Sequence, residues 1–190
     1  NFSGSGSFGV QASTSNADAG LGGSVVTATI TVNAVADTPS ITNATTNEDT
    51  QSSSGLVTTS ADSDTQFYKV TGITNGTLFQ SDGSTAIANN SFITVAQGSA
   101  GLKFTPTPNF SGSGSFGVQA STSNSDAGLG GSVATATITV NALADTPSVT
   151  NATTNEDVPS TSGLVVTPNA VDGSEVGFFK ITGITNGTLF

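Results

Sequence analysis

The residues that could do chemistry in this 190-residue chain are its 13 acids, because it contains neither histidine nor cysteine. Without those residue types a Ser-His-Asp triad, a thiol nucleophile and the usual zinc sites are excluded. Paired carboxylates alone can hydrolyse a glycoside. Here, however, the acids lie near turns and links, with few aromatic residues to form a sugar platform. The sequence therefore predicts a protein that is not an enzyme.

Most of the acids occupy positions that would meet at the ends of consecutive domains. Calcium takes six to eight oxygen ligands from carboxylates, carbonyls and water, so the pattern favours calcium as a cofactor that stiffens the joints. The alternative is that these acids are solvated turn residues that keep a weakly charged chain soluble. The candidate ligands are Asp37 and Asp145 in two links, Glu48, Asp49, Glu156 and Asp157 on the strands after them, Asp62 and Asp64 in a D-x-D loop, Asp126 in a later turn, and Asp172.

The charge balance excludes several classes of partner. The net charge is −10, and lysines at 69, 103 and 180 are the only basic residues. Nucleic-acid backbones and anionic membrane surfaces need clustered lysine and arginine, so neither is expected to bind. No apolar run approaches the roughly 20 residues of a membrane helix, which argues against direct membrane insertion.

Two long stretches of the chain are near copies of each other. Residues 1–57 match residues 109–165 with only a handful of differences, which gives a period of about 108 residues. After residue 165 the second copy gains three residues. A period of this length is the size of a whole β-sandwich domain. We therefore predict the C-terminal part of one repeat over 1–37, a complete repeat over 38–144, and the N-terminal part of the next over 145–190.

Short strand signals recur within 38–144, separated by turn signals, and no segment has a helical period. They predict an all-β fold, with each repeat a two-sheet antiparallel sandwich. The Asn75-Gly76 pair predicts a type I′ hairpin, and Ser81-Asp82-Gly83 a further turn. Phe104, Phe110 and Phe116 are predicted as core anchors. The expected strands cover 40–46, 55–60, 66–73, 77–79, 91–95, 102–105, 115–121 and 133–140.

Two stretches carry a resemblance to a known family. DAGLGGSVATATITVNALADTP resembles the end of a cadherin-like domain with its calcium-binding link, and NGTLF followed by GLKFTPTPNFSGSGSFGVQAS resembles the cadherin-like tandem repeats of giant bacterial surface adhesins. The resemblance implies tandem β-sandwich extender domains with calcium between them. It places Asp37 and Asp145 as the link acids, Glu48 and Glu156 as the first-strand glutamates, Asp62 and Asp64 as the D-x-D pair, and Asp126 as the late-turn acid.

The chain also departs from that family. Its links read ADTP where the animal pattern has a run of Asp and Asn, and Ser113 or Gly114 stands where an acid commonly follows NF-x-G. The second copy has Val171-Asp172-Gly173-Ser174-Glu175 in place of D-x-D. These departures leave open fewer calcium ions, weaker sites or none.

The leading functional hypothesis is a non-catalytic structural extender in a long extracellular adhesin or surface fibre, either cell-surface or secreted. Its partners would be neighbouring repeats of the same chain. One alternative is that the repeats self-assemble with other copies into a filament. Another is that they bind a glycan or a cell-surface ligand directly, with Phe67, Tyr68, Phe178 and Phe179 as the aromatic candidates.

Overall fold

The chain is all-β, as the sequence predicts, in a computed structural model that describes residues 2–190. Its elements, in chain order, are β1 (Gly4–Ser13), β2 (Leu21–Val32), β3 (Ser40–Ile41), β4 (Ala44–Asn47), β5 (Thr58–Thr59), β6 (Phe67–Thr74), β7 (Gly76–Phe79), β8 (Ala86–Ile87), β9 (Phe92–Thr94), α1 (Val95–Ser99), β10 (Lys103–Pro106), β11 (Gly112–Ser121), β12 (Ala134–Asn141), β13 (Ser148–Val149) and β14 (Val166–Thr167). Three short 3-10 helices cover Asp18–Gly20, Asp126–Gly128 and Ala170–Asp172.

Each sheet is built from one stretch of the chain. β1 pairs with β2 in the first segment (residues 2–37), and β13 pairs with β14 in the third segment (residues 145–190). The central segment (residues 38–144) contains a five-stranded sheet in the order β4-β12-β11-β6-β9, a three-stranded sheet in the order β10-β7-β8, and the β3-β5 pair.

One strand pair contradicts the prediction of a wholly antiparallel arrangement. β4 and β12 are parallel, with Ala44 opposite Ile138 and Asn47 opposite Asn141. The reason lies in the path of the chain. Directly after β3, which pairs with β5, the chain crosses to the edge of the five-stranded sheet. There β4 runs in the same direction as β12, the last strand of the segment.

The core of the central segment is shared by its two larger sheets. Phe116, Val118 and Tyr68 come from the five-stranded sheet, while Leu78 and Phe104 come from the three-stranded sheet, and all are fully buried. The alternation of buried and exposed residues along β12 follows the two-residue period of a strand. The predicted anchors Phe104 and Phe116 are confirmed. Phe110 is only partly buried and packs against the edge of this cluster.

The predicted hairpin at Asn75-Gly76 is wrong. β6 and β7, on either side of Asn75, belong to different sheets, so the chain changes sheet at this point. Asn75 takes a left-handed φ of 59° and its side-chain amide donates to the carbonyl of Ser113 at 2.9 Å. Gly76 does not share the positive φ that a type I′ turn requires of both central residues. A Cβ at Gly76 would lie 2.3 Å from the Phe104 ring, so close packing explains this glycine.

The predicted turn at Ser81-Asp82-Gly83 is formed. The Asp82 carboxylate accepts hydrogen bonds from the hydroxyl of Thr85 and from the backbone N–H groups of Thr85 and Ser84. These bonds, the Thr85 hydroxyl first, lower the pKa of the Asp82 carboxyl to about 2 because they favour its charged form.

The helix α1 lies where the sequence predicts the end of a strand and a loop. It has five residues, too few to produce a helical period. A capping box begins it: the Thr94 hydroxyl accepts the N–H of Gln97, and the Gln97 side chain accepts the N–H of Thr94. The T-x-x-Q spacing is the local signal for this helix start.

The first segment contains a copy of the β11–β12 hairpin, but within residues 2–190 the strands that surround that hairpin in the central segment are absent around the copy. β1 and β2 pair in the same register, with Phe8 opposite Ala28 as Phe116 is opposite Ala136. Yet Phe8 is 53% exposed and Phe116 is fully buried. The difference arises because β4 and β6 flank β12 and β11, and the three-stranded sheet shares their core, whereas β1 and β2 have no such neighbours among the described strands.

This pair of phenylalanines gives a matched test of the core. Phe116→Ala is expected to lower the free energy of unfolding of the central segment by about 3–5 kcal/mol, because it removes a fully buried ring. Phe8→Ala, in the same sequence context, is expected to change it by about 0.5 kcal/mol or less. Denaturant unfolding followed by circular dichroism measures both, and equal effects would contradict this core.

Candidate functional site: the two links

Two links connect the segments, and both are fastened by a buried carboxylate of the segment that follows. The first link covers residues 33–39 and the second covers 142–147. Asp62 accepts the backbone N–H of Asp37 through Oδ2 at 3.1 Å, and Asp172 accepts the N–H of Asp145 through Oδ1 at 2.9 Å. Asp62 and Asp172 are only 5% and 3% exposed. We call each such bond a link clamp.

The loop around Asp62 holds its carboxylate ready for the link. Asp62 Oδ1 accepts the N–H of Asp64 at 3.1 Å, and Oδ2 also accepts the hydroxyl of Thr65 at 3.4 Å. The backbone N–H of Asp62 donates to Ser60 Oγ at 3.2 Å. Because a buried carboxylate is costly unless hydrogen-bonded, this network explains how Asp62 is tolerated inside the protein.

Asp172 is positioned differently from Asp62 but also accepts a backbone N–H of its link. It ends the 3-10 helix Ala170–Asp172, which begins where the Asn169 side chain accepts the N–H of Val171 at 3.3 Å. Its Oδ1 holds the link, while its Oδ2 is buried and has no hydrogen-bond partner among the described residues. Among the buried side-chain oxygens of residues 2–190, it is the one carboxylate oxygen without a hydrogen-bond partner.

The second link is also held from the segment that precedes it. Glu48 is 4% exposed, and its Oε1 accepts the N–H of Leu143. The backbone N–H of Glu48 donates to the carbonyl of Asn141 at 2.9 Å, which continues the β4–β12 pairing. Leu143 and Asp145 are two residues apart, so carboxylates from both neighbouring segments bind the same short link.

A glycine pair packs against the first link from the turn before β12. A Cβ at Gly130 would lie 2.1 Å from the Ala36 carbonyl oxygen, and one at Gly131 would lie 2.2 Å from the Thr38 nitrogen. Gly131 also has a φ of 60°, a conformation that favours glycine. Ala36 is buried beneath this turn, whereas Ala144, its counterpart at the second link, has no such turn against it and is exposed.

The remaining candidate ligands do not gather at one point. Asp126 is exposed and forms an ion pair with Lys69 at 2.7 Å, and Asp64 accepts the hydroxyl of Ser3 at 2.9 Å. Asp49 accepts the backbone N–H of Asn109 at 3.0 Å. Glu156 and Asp157 are exposed. Within residues 2–190 no three Asp or Glu side chains form a group able to hold a metal ion.

The link clamps are therefore formed by residues that the sequence singles out, but through contacts it does not predict. The expectation concerned carboxylates facing one another around a cation; the structure shows carboxylates accepting backbone N–H groups. Sequence reasoning also missed Ser3, Gly130 and Gly131. The repeated DAGLGGS motif contains both glycines, and its recurrence ahead of each final strand is the signal that could have identified them.

The aromatic residues considered for a ligand surface divide between core and surface. Tyr68 is fully buried and belongs to the core. Phe67 is half-buried, while Phe178 and Phe179 of the third segment are exposed. No helix within residues 2–190 has the length and apolar character needed to cross a membrane.

Comparison with known proteins does not place the chain in a family. No protein-family model, curated protein or solved structure matches it.

The glycine pair provides a test of how the first link is packed. Gly130→Ala is expected to lower the free energy of unfolding by roughly 1–3 kcal/mol, because its Cβ would overlap the link backbone. Gly22→Ala is the matched control, since Gly22 occupies the same position in the first copy and has open space around it. Denaturant unfolding of both variants measures the difference. An equal change in the free energy of unfolding would show that the turn does not pack against the link.

Proposed function

We propose that this chain is a non-catalytic structural extender, a series of tandem β-sandwich repeats held in line by stiff links within a long extracellular adhesin or surface fibre. The observation that carries the proposal is the link clamp. The same bond, in which the N–H of a link aspartate donates to a buried aspartate carboxylate, occurs at both links.

The stiffness follows from how each link is restrained. A hydrogen bond to a charged group contributes about 1.5–3 kcal/mol, which favours the clamped arrangement over an open one by roughly tenfold or more. Pro39 and Pro147 restrict the backbone at the end of each link. At the second link Glu48 adds a bond from the opposite side. Restraint from both sides limits bending and lets a series of units project a distant tip.

The finer fold is part of the same proposal. A sandwich is supported by the core, which contains side chains from the five-stranded and the three-stranded sheets. The cadherin-like assignment and the location on a bacterial surface or in a secreted protein are supported by the resemblance of the two quoted stretches. The partners in this proposal are neighbouring repeats of the same chain and, in a fibre, other copies.

The link clamp can be tested by removing its acceptor. Asp172→Ala is expected to loosen the second link, and small-angle X-ray scattering of the whole chain would then show a broader range of molecular dimensions. Asp172→Asn, compared in the presence of excess chelator, is the matched control, because its amide oxygen can still accept the N–H of Asp145. If the parent protein showed the same range of molecular dimensions as the alanine variant, that result would contradict the extender proposal.

We also propose that the second link binds a calcium ion through Asp172. Asp172 Oδ2 is buried and unpartnered, which fits a cation ligand. At the first link the structure differs, because both carboxylate oxygens of Asp62 already accept hydrogen bonds. Since no three acids gather here, most of the ligands at Asp172 would be backbone carbonyls and water.

Thermal unfolding with calcium and with excess chelator tests this site. Calcium at 100 times its dissociation constant adds about 2.7 kcal/mol to the folded state, so the melting temperature is expected to fall by several degrees with chelator. Asp172→Asn should abolish that response, whereas Asp157→Asn, at an exposed acid, should preserve it. Identical melting in calcium and chelator would contradict the calcium site and leave the link clamps unaffected.

A further inference from the structure

A second contact crosses each link, and it joins the bodies of the two neighbouring segments. At the first link Ser3 Oγ donates to Asp64 Oδ1 at 2.9 Å. At the second link Ser111 Oγ donates to Glu175 Oε1. Ser3 and Ser111 occupy the same position in the two copies of NFSG. The same hydroxyl therefore reaches a carboxylate of the following segment at both links.

The serine lies where the chain leaves its segment. Ser111 immediately precedes β11, and Gly112 at the start of β11 pairs with Val140 near the end of β12. The second link begins directly after β12. The NFSG loop is thus at the end of the central segment that faces the next one.

The acid lies beside the link clamp. Asp64 donates its N–H to the carboxylate of Asp62, and the N–H of Glu175 donates to the carbonyl of Asp172 at 2.9 Å. Each acidic loop therefore carries two acids with different partners. The first acid accepts a hydrogen bond from a backbone N–H of the link, and the second accepts one from the serine hydroxyl of the preceding segment.

The contact persists although the two acidic loops differ. Counted back from Phe67 and from its counterpart Phe178, Glu175 occupies the position of Asp64. Three residues are inserted before it in the second copy, and a 3-10 helix, Ala170–Asp172, occupies that region. The longer glutamate side chain replaces aspartate there. Two acidic loops of different length and sequence thus each place a carboxylate against the equivalent serine of the preceding segment.

We propose that this serine–carboxylate pair, which we call the latch, is the docking contact that fixes the rotation of each repeat relative to the next. The proposal rests on the extender function. The bonds from Asp62, or from Asp172 and Glu48, restrain the link itself but leave the two segments free to rotate about it. A second bond away from the link, between the bodies of the segments, removes that freedom. The NFSG loop is therefore an interaction surface whose partner is the acidic loop of the following repeat.

Distance distributions between spin labels across the second link test the latch in the whole chain. The absence of cysteine allows labels to be attached only at Thr139→Cys in β12 and Thr167→Cys in β14, both at exposed positions. Ser111→Ala is expected to broaden the distribution about twofold, as is Glu175→Ala from the other side. Ser113→Ala, exposed two residues later in β11, should leave it unchanged, and Glu175→Gln should restore part of the narrow distribution.

The outcomes separate the latch from the proposed function. A narrow parent distribution that broadens with both alanine variants, at an unchanged melting temperature, supports the latch. A distribution that Ser111→Ala and Glu175→Ala leave narrow, but that Asp172→Ala broadens, would overturn the latch and retain the stiff link. A parent distribution as broad as that of Asp172→Ala would overturn both.

Discussion

The structure depends on carboxylates that are buried and must therefore find hydrogen-bond donors. Asp62, Asp172 and Glu48 each accept a backbone N–H of a link. A link with no regular secondary structure has N–H groups without partners in a sheet. The link N–H therefore gains an acceptor, and the buried carboxylate gains a donor. The solvation cost of the acid and the disorder of the link are reduced by one bond. The aligned series of repeats that we propose depends on these hydrogen bonds.

The first segment shows how far local sequence determines structure in this chain. β1 and β2 pair in the register of β11 and β12 because the residues are nearly the same. Their burial nevertheless differs completely, since burial depends on strands that lie far away in the sequence. Hairpin formation here is local, whereas formation of the core is not.

The same distinction explains which features of the fold could be predicted from sequence. Alternation of apolar residues identified most strands, and the apolar environment expected for Phe104 and Phe116 was correct. The change of sheet at Asn75 and the parallel placement of β4 were not predictable, because a local turn signal contains no information about which strand will be the neighbour. The acids were singled out by type and position. Their partners are backbone N–H groups more than twenty residues away, which residue spacing does not encode.

The parallel pairing of β4 with β12 has a mechanical consequence. β4 lies soon after the first link and β12 immediately before the second, and the two strands run side by side in one direction. Tension applied through the two links draws these strands in opposite directions along their own axes. The hydrogen bonds between them then lie across the load and share it, instead of opening one after another as in a pulled hairpin. A central segment built in this way resists shear at the strand pair where tension enters and leaves it.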